Sequence, residues 1–332
     1  MNNSIKLQLD CEKETIKIID FIKNCVHSKF KKSGAVVGVS GGIDSAVTLS
    51  LCIKALGKEN VIAVSLPEKQ SSKDSLVFAR RVTDSLGCEL VVKDITNALE
   101  SFEVYSAANN IVKKYFMDFN DSYSFKIVLP QNLLEKDQIN FYSLIVQNKN
   151  GEEVFKGRLS LQDYNSIKAA TSIKLRTRMI YLYQFAEKHN KLVAGTTNRS
   201  EYELGNFCKH GDGGVDFEVI SHLYKTQVYQ LARHLAIPDE IIARTPSPDV
   251  FSAFVSDDEF FFSLPFNILD EALYAYTNEI SSNNAANLLN LEEEKVKRLY
   301  KDFLIKQRNT YYLKELPPSI SLQKASCNYA GL

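Results

Sequence analysis

Between Glu12 and Phe30, apolar residues recur at Ile16, Ile19, Ile22 and Val26, the spacing of one helix face, so an amphipathic N-terminal helix is expected. Gly34 to Val39 is a short unbroken apolar run, the pattern of a parallel strand covered on both faces. A glycine-rich turn follows it, and Ser45 to Leu56 reads as a helix. The rhythm repeats. Val61–Ser65 is a second strand, Ser71 to Leu86 a helix stopped by Gly87, and Glu89–Lys93 a third strand. Ser172 to Lys188 reads as a helix leading to a fourth strand, Asn190–Gly195. Strands alternating with helices predict an α/β fold with a doubly wound parallel sheet, in which ligands bind beyond the carboxyl ends of the strands.

Phe116 to Ser166 breaks the rhythm. Phe141–Val146, the turn Asn148-Lys-Asn-Gly151, and Glu153–Gly157 read as a β-hairpin, so residues 116–166 are expected to be an insertion. The chain beyond Pro248 is richer in helix signals, and residues 250–332 are read as a helical C-terminal extension of one domain spanning 1–332. Its end, Lys314 to Leu332, is a polar tail.

Composition narrows the field. Of 332 residues, 45% are hydrophobic, enough for a sizeable core, and Lys plus Arg equals Asp plus Glu at 40 each. That balance lacks the basic surplus of a nucleic-acid binder. No run of 18 apolar residues occurs and the first ten residues do not resemble a signal peptide, so a cytoplasmic protein without a membrane span is expected. The six cysteines, Cys11, Cys25, Cys52, Cys88, Cys208 and Cys327, form no CxxC pair and read as reduced thiols; Cys25 and Cys208 lack any context for a nucleophile.

The chemistry concentrates at Gly38-Val39-Ser40-Gly41-Gly42-Ile43-Asp44-Ser45, between strand and helix. Gly41 and Gly42 let backbone N–H groups approach an anion, and the helix N-terminus adds free donors and partial positive charge. Ser40 and Ser45 bring hydroxyls. Asp44 would repel a phosphate unless a cation intervened, so Mg²⁺ is its natural partner. The string does not end in Gly-Lys-Ser/Thr and is not a Walker A loop.

This SGGxDS string resembles the signature of the ATP-pyrophosphatase superfamily, which includes amide ligases, asparagine synthetases and tRNA-modifying enzymes, and the loop alone does not choose among them. Three further blocks do: Lys174-Leu-Arg-Thr-Arg-Met179, Gly195-Thr-Thr-Asn-Arg-Ser-Glu201, and Lys209-His-Gly-Asp-Gly-Gly-Val-Asp216 running on to Leu223-Tyr-Lys-Thr-Gln227, with a weaker fourth at Pro246-Ser-Pro-Asp249. In order and spacing they resemble the ammonia-dependent NAD synthetase family. The resemblance implies an adenine-nucleotide alpha-hydrolase-like fold and adenylation of the nicotinate carboxylate of deamido-NAD, followed by attack of ammonia. It implies ATP contacts at the loop, Thr196, Lys225 and Ser247, and Mg²⁺ at Asp44 and Glu201. Contacts to the dinucleotide are implied at Arg176, Lys209 and Asp216, and Asp212 and Lys225 are implied as catalytic. A homodimer is implied too, with ammonia either free or from a separate glutaminase.

Some positions depart from the family pattern. Ser172 stands where Asn is usual, Asn206 where an aromatic is common, and Lys306-Gln-Arg308 where a His-Lys pair often lies. All three are on the acceptor side. A related ligase for a different carboxylate is therefore the alternative reading; a tRNA-modifying enzyme or an ATP sensor that kept the loop are remoter ones.

Overall fold

A computed structural model describes residues 7–136 and 141–320; Cys327 and the last part of the polar tail lie outside the described residues. Helix α1 (Cys11–Lys23) starts where the Asp10 carboxylate accepts the N–H of Lys13, and it continues into one wider turn, Asn24–Lys29. The expected alternation follows: β1 (Ala35–Gly38), α2 (Ile43–Leu56), β2 (Val61–Ser65), α3 (Lys73–Ser85) and β3 (Leu90–Val92). After α4 (Thr96–Ser101) and α5 (Val104–Tyr115) the chain enters an antiparallel sheet of β4 (Ser124–Val128), β5 (Ser143–Gln147) and β6 (Glu153–Arg158). Helix α6 (Leu161–Lys188) returns it to β7 (Leu192–Gly195); α7 (Arg199–Leu204), β8 (Phe217–Glu218), α8 (Lys225–His234) and α9 (Asp239–Ile242) complete the core. Helices α10 (Phe266–Thr277), α11 (Ser282–Leu289) and α12 (Glu293–Lys314) form the C-terminal part.

The main sheet has the order β3-β2-β1-β7-β8 with every pairing parallel. Strand alternation splits the core in two. Ala35, Val37, Ala63, Leu192 and Ala194 point to one face, under α1, α2 and α8. Val36, Val64 and Val193 point to the other, under α5 and α6. Both faces are covered, as the unbroken apolar runs require. The strands run outward from β1 to β3 and then restart at β7 on the opposite side of β1. That reversal is the topological switch point, where α/β sheets bind ligands.

Two expectations change in detail. The 116–166 segment holds three strands, not a two-stranded hairpin. β5 and β6 form the predicted hairpin through Asn148–Gly151, and β4 pairs along the other edge of β5. The helix expected from Ser172 begins at Leu161, because the Ser160 hydroxyl caps it by accepting the N–H of Asp163. The antiparallel sheet is docked through its inner face, where Phe125, Ile127, Leu144 and Val146 join Val250 and Phe251 in the core beneath α5 and α6.

Gly34, just before β1, packs against the neighbouring strand's approach. A Cβ there would lie 1.9 Å from the carbonyl oxygen of Asn60. Backbone cannot yield as a side-chain tip can, so Gly34→Ala is expected to cost about 1–3 kcal/mol. Urea unfolding of the variant checks this; an unchanged midpoint would show that the strands relax freely.

Candidate active site

The SGGxDS loop leaves β1 and enters α2. Gly41 has φ +77°, and a Cβ on it would meet the Ser75 carbonyl oxygen at 2.5 Å, so only glycine fits the turn against α3. Gly42, the residue before α2, has no such neighbour: its Cβ would meet only the Ser40 hydroxyl, at 3.3 Å. No side chain caps the helix at Gly42. The first N–H groups of α2 therefore stay available to an anion. Inside the turn, the Ser45 hydroxyl donates to the Gly42 carbonyl at 2.9 Å and accepts the Ser40 N–H at 3.3 Å. The two serines thus shape the loop as well as offering hydroxyls.

Asp44 leads out of the loop toward the second half of the sheet. One carboxylate oxygen accepts the Asn198 amide at 3.2 Å, and the other is paired with the ammonium of Lys225. Asn198 also opens α7 in a reciprocal cap: its side chain accepts the Glu201 N–H, and the Glu201 carboxylate accepts the Asn198 N–H, both at 3.1 Å. The loop after β1 and the loop after β7 are thereby tied across the switch point. Thr196 sits in that second loop, directly beyond β7.

Lys225 is only 1% exposed, yet it stays charged. Burial opposes its ammonium, but the carboxylates of Asp44, Glu201 and Asp257 outweigh it and push its pKa well up. The carboxyls bear the opposite strain. Burial, then the charge of Asp44, raises Glu201 well above the usual range, and burial pushes Asp257 up to about 6. Buried Asp270 of α10 completes the scaffold by accepting the Ser200 hydroxyl at 2.6 Å and the Thr226 N–H at 2.7 Å at the start of α8. Asn198, Asp257 and Asp270 were not singled out from sequence. Asn198 and Glu201 carry the capping pattern N-x-x-E, a signal that was there; Asp257 sits in an acidic run before a short helical turn and Asp270 within an apolar helix, and neither stretch matches a motif.

The residues expected on the acceptor side lie around the 206–216 loop and have structural partners. Arg176 donates to the Lys209 carbonyl at 3.4 Å. Lys209 reaches across to the end of α12, donating to the carbonyls of Tyr312 and Glu315 at 2.8 Å each. Asp212 is exposed and accepts the Cys208 N–H at 2.7 Å, closing the loop. Asp216 uses both oxygens, accepting the Val193 N–H at 2.7 Å and the Tyr183 hydroxyl at 3.2 Å. On the nucleotide side, Ser247 accepts the Asp249 N–H at 3.3 Å. Cys25 and Cys208 are buried and their thiols are pushed up by burial, which suits inert packing.

A glycine-rich turn at a switch point, with a largely buried acid–lysine pair beneath it, defines a class rather than a family. Comparison with known proteins decides the family. The family model described as NAD synthase matches residues 14–122 and 129–315. The chain belongs to the NAD synthase family.

That membership makes this NAD synthase relative a carbon–nitrogen bond-forming ligase that uses ATP. It is 40% identical to the NH(3)-dependent NAD(+) synthetase of Mesorhizobium japonicum over 311 residues, 94% of this chain and 97% of that one. It is 40% identical to the enzyme of the same name from Thermotoga maritima over 263 residues, 77% and 84% of the two chains. Among solved structures, the NH3-dependent NAD synthetase of Campylobacter jejuni superposes with a TM-score of 0.62 at 24% identity, covering 95% of this chain and all of that one. At that identity the match speaks for the fold, which is the adenine-nucleotide alpha-hydrolase-like one. Among the described residues, no helix is long and apolar enough to cross a membrane.

The Lys174 block has its own buried pair. Lys174 is 2% exposed and donates to Glu68 at 2.8 Å, to Gln70 at 2.7 Å and to the Val250 carbonyl at 3.0 Å. Burial pushes the Glu68 carboxyl up, but Lys174, the Gln70 N–H and the Tyr105 hydroxyl overcome it, so the net shift is downward. A carboxyl lowered by folding contributes stability above its unfolded value of 4.5, and loses it as the pH falls through the lower folded value. At pH 7, Lys174→Met strands a buried carboxylate and is expected to cost about 3–5 kcal/mol in urea unfolding. Adding Glu68→Gln should recover most of that loss. A double variant as unstable as the single one would refute the pairing as its source.

Proposed function

We infer that this chain is an ammonia-dependent NAD synthetase of one domain, 1–332, working in the cytoplasm as a homodimer. The observation that supports the reading is the link from the SGGxDS loop through Asp44 to Asn198, Glu201 and Lys225, a cluster of polar and ionisable groups beside the uncapped start of α2. In the proposed reaction the nicotinate carboxylate of deamido-NAD attacks the α-phosphorus of ATP and pyrophosphate leaves. Ammonia then attacks the acyl carbon of the adenylate and AMP departs. The relatives named above are ammonia-dependent by name, so free ammonia is the proposed nitrogen source rather than a separate glutaminase.

The roles fall to residues as follows. The loop residues Gly38 to Ser45, with Thr196 and Ser247, hold ATP, the N–H groups at the start of α2 facing its phosphates. Lys225 stabilises the charge that grows on the leaving pyrophosphate. Among the described residues no three acidic, histidine or cysteine side chains stand close enough to ligate one ion alone. Magnesium needs fewer, since it keeps waters and nucleotide oxygens. Asp44 and Glu201 fit it: both offer hard carboxylate oxygens, and the cost of burying Glu201 beside Asp44 is one a divalent cation removes. Bound there with ATP, Mg²⁺ would neutralise phosphate charge. Arg176, Lys209 and Asp216 are the proposed dinucleotide contacts, and Asp212 the acid beside the reacting groups.

A second reading keeps the activation chemistry and changes the acceptor. Its basis is that Lys209 and Asp216 already have intramolecular partners, in a chain with Ser172 and Asn206 at the same end. Incubation with ATP, ammonia and deamido-NAD separates the two. NAD with stoichiometric AMP supports the first, whereas pyrophosphate released only with another acid supports the second.

In that assay Asp44→Ala and Lys225→Met are each expected to lower pyrophosphate release by about 10²–10³-fold or more. Because the Lys225 variant leaves Asp44 without its partner, circular dichroism must confirm that both remain folded. Near-native turnover in either would remove that residue from the mechanism.

A further inference from the structure

We propose that Arg244 is a phosphate-binding residue of the ATP site, a role that rests on ATP occupying the SGGxDS loop. Arg244 lies beyond α9, three residues before Ser247. Its guanidinium nonetheless reaches the loop itself, where one terminal nitrogen donates to the Ser40 carbonyl at 3.4 Å. The other donates to the Ser75 hydroxyl at 2.8 Å, and the group lies over the Phe78 ring, 5.1 Å from its centroid. Ser75 and Phe78 are the α3 residues against which Gly41 packs. Loop, helix and guanidinium therefore meet at one point.

The partners are what make this a site for an anion. Both recorded acceptors are neutral oxygens, and among the described residues no carboxylate stands within ion-pairing distance of Arg244. Arg81 on α3 is different, being paired with Glu240. Of the acids flanking Arg244 in the chain, Glu240 is thus taken, and Asp249 is committed to the Ser72 N–H at 3.0 Å and the Ser75 hydroxyl at 3.2 Å. A half-buried guanidinium with neutral anchors among the described residues, beside the turn proposed to hold the ATP phosphates, is arranged for charge-assisted bonds to phosphate oxygens. Its contacts with Ser75, Ser40 and the Phe78 face already restrict the side chain, so less of its freedom is lost on binding.

Anchoring Ser75 is the competing role, and nucleotide length separates the two. Binding of non-cleavable α,β-methylene-ATP and of adenosine is measured by calorimetry for the native chain, Arg244→Met, Arg244→Gln and Arg244→Lys. Loss of one charge-assisted contact predicts about a tenfold or greater weakening of the ATP analogue in the Met and Gln variants. Adenosine, which has no phosphate, should bind each variant as it binds the native chain, and Arg244→Lys should recover part of the loss. The glutamine variant keeps N–H donors without the charge, so a folding defect confined to Arg244→Met leaves the comparison intact. Native affinity in both neutral variants overturns the proposal, as does equal weakening of adenosine, which would mark a purely structural arginine. A native chain that fails to bind the analogue refutes the ATP reading itself, a separate outcome.

Discussion

A lysine that is 1% exposed must either lose its proton or keep carboxylates beside it, and Lys225 does the second. Much of the site follows from that constraint. Asp44 has to be held facing the lysine, which needs the tight turn at Gly41 and the Asn198 amide on its other oxygen. Asn198 must in turn be fixed, and the reciprocal cap with Glu201 does so. The start of α8, which carries Lys225, is pinned by Ser200 to the Lys225 N–H at 3.2 Å and by Asp270 to the Thr226 N–H. The links join the loop after β1, the loop after β7, the start of α8 and helix α10. The ion pair is thus weak evidence about stability and strong evidence about preorganisation: its charges are kept in place ahead of any ligand.

The antiparallel sheet bears on the same region from outside. β4 offers its edge to the segment beyond Ser247: the Phe125 N–H donates to Ser252, the Ala253 N–H to the Phe125 carbonyl, and the Leu129 N–H to the Glu259 carbonyl. Lys126 adds an ion pair to Glu259 at 3.1 Å. Lys174 holds the Val250 carbonyl from the inner side. The chain carrying Pro246, whose carbonyl accepts the Asp257 N–H, is therefore gripped on both flanks. An inserted sheet that only decorated the surface would leave its edge strand free; here the edge is paired, which also protects it from association.

The parallel core was legible because both of its faces are covered, which turns strands into unbroken apolar runs with little ambiguity. The strand β8 was not, since two residues, Phe217 and Glu218, carry no periodicity. The start of α6 was misread because its first turns, Leu161 to Thr171, face the antiparallel sheet and solvent with a mixed pattern, and only the Ser160 cap marks the boundary. Of the site, the loop, Thr196, Glu201 and Lys225 could be named from motifs. Asp257 and Asp270 could not, because burial of an acid has no local signature: Asp257 looks like its acidic neighbours Asp258 and Glu259, and the partner of Asp270, Ser200, is distant in sequence.

The acceptor side obeys a different logic. Asp216 joins the Val193 N–H and Tyr183, so it fixes the edge of the sheet to α6. Lys209 satisfies carbonyls at the end of α12, which an α-helix leaves without internal partners. A residue used in this way can still meet a substrate, but only by exchanging one partner for another, and the exchange costs affinity unless the new bond is at least as good. On the nucleotide side the conflict is smaller: the Gly42 N–H meets the Ser40 hydroxyl at 3.3 Å and both Asp44 oxygens have partners, but no side chain caps the first N–H groups of α2. On the proposed assignments, an anion can meet the uncapped start of α2 as it stands, whereas a dinucleotide at Lys209 and Asp216 displaces contacts of the 206–216 loop or the end of α12. On the same assignments, selectivity for the acceptor falls to the end of the molecule that carries Ser172 and Asn206.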